Sequence, residues 1–458
     1  MDYQLDFAKV KKFVEKNGSY TYRRTQNTYV LPFPTREPER VKFANGFGPI
    51  IGAVLRTLNG EKLEFNKDQD TLSLILKEGK FDDKETEKIF QLFVENELDQ
   101  IENANISRIQ YLKNIPFIED KSERKGEKEL FQFFYDSFIR DNEEEFIKIF
   151  ESMESSDLLS KIINVSISEE EKYFVPQYKM LFPKLRERFL ADVGTMATNP
   201  AFCVQHLTDL ALHYCFIAMA QTIIQTNKYT KANYEQLHRV VFIIQSESGS
   251  KWRDFYNEGF KLLKEEVKEF LAHEHVLNLL GNNTFTEGDN WYYTDYAKYF
   301  SDKNSNEEEQ FVKSIYQWIN EEYANYFTNT EEIPYTGQTL EEAFRHLNFT
   351  VRKNIQTAPN SRYVLAFESI ATKFYRKSGG PLGNILAVNL HQLLMLVAVS
   401  VGERGKKLEL NKLWVEFEKR GVFLDKYSKI EVVKILDNLN YLDKKSDSGD
   451  AQYVKSIL

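Results

Sequence analysis

Residues 406–458 read KKLELNKLWVEFEKRGVFLDKYSKIEVVKILDNLNYLDKKSDSGDAQYVKSIL, and their order of elements decides the fold expected of the C-terminal unit. Lys406–Leu410 is strand-like. Asn411 then stands where an N-cap belongs, before a helix that stops at Gly421. Ser428, followed three residues later by Glu431, has the spacing of a capping box and predicts a second helix over Ser428–Asn440. Ile430, Val433 and Leu436 predict its core side, widened by Val432, Ile435 and Leu439. Tyr441-Leu442 opens a strand, Ser446–Asp450 supplies turn residues, and Gln452–Ile457 alternates as the returning strand. Upstream, Ile385–Val401 is apolar throughout and predicts a helix ending at Gly402. Helix, strand, helix, helix, hairpin is the order of a winged helix. In that arrangement Lys429, Lys434, Asp437 and Asn438 face a groove, Ser428 reaches a phosphate, and Lys444, Lys445 and Tyr453 belong to the wing.

Working outward, Gly379-Gly380-Pro381 is the strongest stop signal in the chain and sets the boundary of this unit at 379–458. Before it, residues 81–378 predict a helical core. Apolar residues recur at spacings of three and four in 83–113 and 127–153, and again near 311–327, 340–354 and 361–377. Residues 171–225 are the most hydrophobic, with a peak at Leu210–Ile224 that reads as a buried helix shorter than a membrane span. Gln245–Ser250 is a polar break, a helix is expected over 252–271, and Gly281–Asn290 has loop chemistry. The acidic runs 143–145 and 169–171 fit solvated helix surface.

The N-terminal segment, residues 1–80, differs in kind. YTYRRTQNTYVLPFPTREPERVKFAN (20–45) contains Pro and β-formers that exclude a long helix, and Arg23, Arg24, Arg36 and Arg40 make it a basic island. A short helix follows from Phe47. The fold class expected is therefore mainly α: a multi-helical body, a short strand-containing N-terminal segment and a C-terminal winged-helix-like domain.

Composition sets the limits on function. The chain has 458 residues, 35 Phe, 25 Tyr and a formal net charge of -9. An acidic balance argues against a free-standing nucleic-acid binder, which needs phosphate neutralisation. Residues 404–458, however, carry 12 Lys and Arg against 9 Asp and Glu, a local +3. Two cysteines exclude a disulfide framework, and the opening MDYQLDFAKVKKF lacks a secretory apolar run, which together predict a cytoplasmic protein. Cys203, His206, His213 and Cys215 invite a zinc reading, but one straight helix spreads them too far to close a tetrahedral site. His273-Glu274-His275 lacks the i, i+4 spacing of a zinc protease. No phosphate loop and no nucleophile elbow occurs. No catalytic residue, metal or cofactor is expected. A cryptic nuclease built from distant carboxylates is the alternative outside the binding classes.

Several stretches resemble the DptG (DndG) family of DNA phosphorothioation-dependent restriction proteins. They are LPFPTREPERVKFANGFGPIIG (31–52), SESGSKWRDFYNEGFKLL (246–263), RKSGGPLGNILAVNL (376–390), FEKRGVFLDKYSK (417–429) and the tail ILDNLNYLDKKSDSGDAQYVKSIL (435–458). The resemblance implies a prokaryotic defence role against DNA that lacks a sulfur mark on its phosphates. It also implies assembly with a DptF-like ATPase and a DptH-like helicase or nuclease, this chain being the non-catalytic, double-stranded-DNA-binding adaptor. A scaffold that never touches DNA is the alternative. Leu31-Pro32-Phe33-Pro34 between the arginines has the composition of an apolar notch that reads sulfur.

Overall fold

In the computed structural model, residues 2–22, 28–63, 80–92, 109–153, 167–169, 175–268, 270–286, 290–327, 330–444 and 452–458 are described. The protein is mainly α. Helices α1 (Phe7–Val14), α2 (Gly48–Asn59), α3 (Lys121–Phe134) and α4 (Glu143–Glu151) lead into α5 (Pro183–Ala197) and α6 (Pro200–Thr226). After strand β1 (Val241–Ile244) come α7 (Phe260–Val267), α8 (Leu271–Leu280), α9 (Tyr293–Ser301), α10 (Ser305–Gln317), α11 (Leu340–Asn354) and α12 (Thr357–Phe374). The chain then forms β2 (Arg376–Ser378), β3 (Asn384–Val388), α13 (Leu390–Val401), β4 (Lys407–Glu409), α14 (Leu410–Lys419), β5 (Phe423–Leu424), α15 (Lys426–Asn438), β6 (Leu442–Lys444) and β7 (Gln452–Lys455).

Helix α6 is the axis of the body. Asn199 caps it, its side chain accepting from Phe202 N, and Pro200 sits in the first turn where no N–H is missed. At 27 residues it is longer than the apolar peak predicts and long enough to cross a membrane, yet protein covers nearly all of it. Burial all round is the mark of a central core helix. Its buried His213 finds partners on both ring nitrogens: Nδ1 lies 3.2 Å from the Tyr375 hydroxyl, and Nε2 lies 2.9 Å from the Arg420 carbonyl.

The expected helix over 385–401 divides in two. Asn384–Val388 is a strand, and Asn389 caps α13 with Gln392 three residues on. NILAV is an apolar run without alternation, which a parallel strand buried on both faces shares with a buried helix. Strand β1 pairs in parallel with β3 on one side and with β5 on the other, and β2 adds antiparallel to β3. Gly379-Gly380-Pro381 thus lies in the turn of the β2–β3 hairpin, and a continuous apolar core runs from Tyr3 to Val454. The helix expected over 252–271 is likewise two pieces, Phe255–Glu258 and α7, broken at Gly259. A Cβ there would meet the Phe255 carbonyl at 2.5 Å and the Val241 carbonyl at 2.9 Å.

A second sheet closes the C-terminus. Strand β7 lies between β6 and β4, antiparallel to both, with Tyr453 opposite Asp443 and Glu409. Helix α14 ends one residue before Arg420, and Gly421 takes φ +79 to turn the chain back, as its place after a Lys-Arg pair predicts. The α14–body seam is charged: buried Arg420 donates to Asp192 of α5 at 2.7 and 2.6 Å, to Glu416 and to the Val399 carbonyl. Tyr214 of α6 donates to the same Asp192 at 2.6 Å. Burial pulls the guanidinium down, and the charge of Asp192 more than restores it, so Arg420 stays cationic.

Candidate nucleic-acid interface

Helix α15 has one committed face. Ser428, Val432 and Leu436 are buried at i, i+4 and i+8, whereas Ile430 and Leu439, expected in the core, are exposed. The expected cap is also shifted. Asp425, not Ser428, is the N-cap, and its Oδ1 accepts from Tyr427 N at 3.1 Å and Ser428 N at 2.9 Å. Ser428 is fully buried: its hydroxyl donates to Glu247 at 2.6 Å and accepts from Arg253 at 2.9 Å. That geometry removes Ser428 from any phosphate and gives it to the link with the body.

The link is an ionic knot beneath the start of α15. Arg253 donates from Nε and Nη2 to the two Asp425 oxygens, each at 2.7 Å, and its Nη1 lies 2.8 Å from Glu247 Oε2. Burial pushes the Asp425 carboxyl up, and the hydrogen bonds of Arg253 and Ser428 outweigh it, so the group sits below the usual carboxylate range. The polar break 245–250 thus works as a strap from the end of β1 to α15.

What the strap carries outward defines the surface. Trp252, 86% exposed, stands beside Tyr427 and Ile430, and these side chains line an open groove of about 500 Å³ with Ser248 and Lys434. Beside the groove Lys251 lies 5.0 Å from the Trp252 centroid and Lys426 4.9 Å from Tyr427, and against α14 Lys429 lies 5.6 Å from Trp414. Lys434 is exposed with a loose contact to Glu431 at 3.6 Å. Asp437 and Asn438 also face outward at the far end of the helix. Cations interleaved with exposed rings are what a nucleic-acid-binding face needs, since phosphates take the charge and bases stack on the rings.

The hairpin expected as a wing is described in part. Lys444 ends β6 and Tyr453 is half-buried on β7, while Lys445 and the turn 446–450 lie outside the described residues. Asp443 accepts from Lys407 at 2.5 Å and lies 3.4 Å from Lys455 across the sheet.

The N-terminal basic island has a different fate. Arg36 pairs with Glu39 at 3.2 Å, Arg40 with Glu37 at 2.7 Å and Lys42 with Glu123 at 3.1 Å, so its described cations are met by carboxylates. Arg23 and Arg24 lie outside the described residues. Leu31 to Pro34 are buried, with Leu31 N donating to Glu274 at 3.1 Å and the Phe33 ring set edge-on to Tyr363. This corrects the expectation of a sulfur-reading notch, because core helices already fill its apolar side.

The polar clusters considered as chemistry are internal ties. His273 lies 3.0 Å from the Tyr293 hydroxyl and 2.9 Å from Asn227 Oδ1, Glu274 accepts from Leu31 N and the Tyr363 hydroxyl, and His275 lies 2.7 Å from the Tyr20 hydroxyl. Burial lowers His273 to about 3 and His213 to about 4, so both are neutral at ordinary pH. Cys203 and Cys215 are buried free thiols, the first pushed up to about 12 by burial. The side chain that sequence reasoning missed is Trp252, hidden by an expected helix. No family model matches the chain and no curated protein matches it, which leaves its own residues to carry a functional reading.

Proposed function

We propose that this chain is the non-catalytic, DNA-binding adaptor of a phosphorothioation-dependent restriction complex in the prokaryotic cytoplasm. The observation that carries the reading is the face made by α15 and the strap, where Lys426, Lys429 and Lys434 alternate with Tyr427, Ile430 and Trp252. The run α13–β4–α14–β5–α15–β6–β7, with β7 between β6 and β4, supports the reading too: apart from β5, which pairs with β1, its order is that of a winged helix with α15 in the place of the groove-entering helix. With a formal charge of -9 the chain binds DNA as part of an assembly, sharing contacts with a DptF-like ATPase and a DptH-like helicase or nuclease. Specific residues for bond chemistry are not required in this role.

The test is duplex binding by the purified chain over a salt series. Log K should fall by about 0.9 per phosphate contact, and Lys429→Ala/Lys434→Ala should reduce that slope by about 2. Lys444→Ala/Lys445→Ala probes the wing in the same way. Added Mg²⁺ or Mn²⁺ should give no nicking. A second reading, docking of a protein partner on the same face, is favoured by the exposure of Trp252, since buried aromatic anchors dominate protein interfaces. Binding to a partner that ignores salt but is lost in Trp252→Ala would select that reading over DNA.

A further inference from the structure

His206 leaves the other three residues of the zinc-like quartet and lies against two residues from elsewhere. Helix α6 carries His206 and Asp209 at i and i+3, on one side of the helix. Helix α13 brings His391 to them in its first turn, with Nε2 2.8 Å from Asp209 Oδ2. One ligating atom from each of the three lies within 4.8 Å of the other two. The His206 and His391 rings are nearly parallel, 26° apart with centroids at 4.4 Å, and Phe202 closes the other side of His206 at 4.1 Å. His206 is only 6% exposed, and its Nδ1 is buried without a hydrogen-bond partner. Asp209 and His391 are 39% and 46% exposed, so the cluster opens to solvent on one side.

Two imidazoles pressed together beside a carboxylate are an awkward arrangement for protein alone. A buried ring nitrogen with no donor or acceptor is uncommon in native interiors. The same three groups are a familiar donor set for a borderline divalent ion. We infer that His206, Asp209 and His391 form a binding site for one divalent transition-metal ion of the zinc class, with water completing the shell on the open side. Ligands of a tetrahedral zinc ion with bonds of about 2.0–2.1 Å stand roughly 3.3 Å apart. The ion therefore draws the imidazole edges together, and the half-exposed His391 is the side chain with room to move. Because α6 belongs to the body and α13 opens the C-terminal unit, the ion also staples the two.

The experiment uses the untagged full-length chain, stripped with chelator and titrated with Zn²⁺ by calorimetry and with Co²⁺ by visible absorption. The expected result is one ion per chain with about micromolar affinity or better, Co²⁺ ligand-field bands, and a raised melting temperature. His391→Ala and Asp209→Asn, both at the surface and so compatible with folding, should each weaken binding by at least about tenfold. His346→Ala, far along the chain on α11, should not. No saturable binding, or equal binding by the wild type and both surface variants, overturns the site and leaves a hydrogen-bonded His391–Asp209 pair beside a stacked core histidine. None of these readouts depends on whether the α15 face binds DNA.

Discussion

Two parts of this protein are rich in cations, the stretch from Arg36 to Lys42 and the face of α15 with its strap, and they spend their charge in opposite ways. In the first, each described cation meets a carboxylate, and the apolar residues just before them, Leu31 to Pro34, are sealed in the core. In the second, cations lie over rings that remain at the surface, while the buried ionic groups, Arg253, Glu247 and Asp425, lie underneath and hold the helix in place. A count of Lys and Arg does not separate the two. What separates them is how firmly the cations are tied: Lys434 keeps only a 3.6 Å contact to Glu431, and Lys251 and Lys426 lie over rings.

The contrast can be attacked at four points. The hardest blow falls on the α14–body seam, from which the chain turns into α15. Arg420→Ala strands Asp192 in the interior and should cost about 3–5 kcal/mol in denaturant unfolding. A loss under about 1 kcal/mol would mean that the C-terminal unit stands by itself.

Acid should loosen the helical body and the Arg420 seam through histidines. His273 ties α8 to Tyr293 of α9 and to Asn227 at the end of α6, and His213 supports the Arg420 turn. Folded, they protonate only near pH 3 and 4, whereas unfolded they do so near the ordinary value of 6.5. The unfolded state therefore takes up protons first, and stability falls as pH drops below about 6.5, by about 2 kcal/mol for each histidine at pH 5. Denaturant midpoints at pH 7, 6 and 5 test this, and His213→Gln should flatten the slope. A pH-independent midpoint would refute the buried neutral histidines.

Trp252→Ala should weaken DNA or partner binding by about 1–3 kcal/mol, the range for one base stacked on an aromatic ring. Its unfolding free energy should change by less than about 0.5 kcal/mol, since the ring is already in solvent. Equal losses in both assays would make Trp252 a structural residue. The smallest effect is expected from Arg36→Ala/Arg40→Ala, which removes ion pairs with one exposed partner each and leaves Lys125 on Glu39: less than about 1 kcal/mol in stability and no change in the salt slope. A reduced slope would return the N-terminal island to the interface.

Much of the helical body was legible because strong periodicity survives any tertiary context. α2 begins at the Gly-Pro turn and α11 spans Leu340–Asn354 as its pattern predicts. The parallel sheet was not legible. VFII and NILAV are short runs of uniform apolarity, and only their distant pairing shows that they are strands. At the candidate site, Lys429 and Lys434 follow from helical spacing, but the cap was misplaced by three residues. Both Asp425 and Ser428 are good N-caps locally, and the choice is made by Arg253, 172 residues away from Asp425. The same distance problem hides His391 from a search for metal ligands along α6.

Strand β1 sits between two partners, β3 and β5, that both come later in the chain. On a ribosome adding roughly 5–20 residues per second, β1 emerges with neither neighbour yet made and waits about ten seconds or more for them. All through that interval two bare edges of Val241–Ile244 are open to any passing strand. Synthesis of this protein is thus a period of exposure that ends only when its last hundred residues arrive, and cells that make it in quantity should lean on a chaperone that holds extended apolar segments.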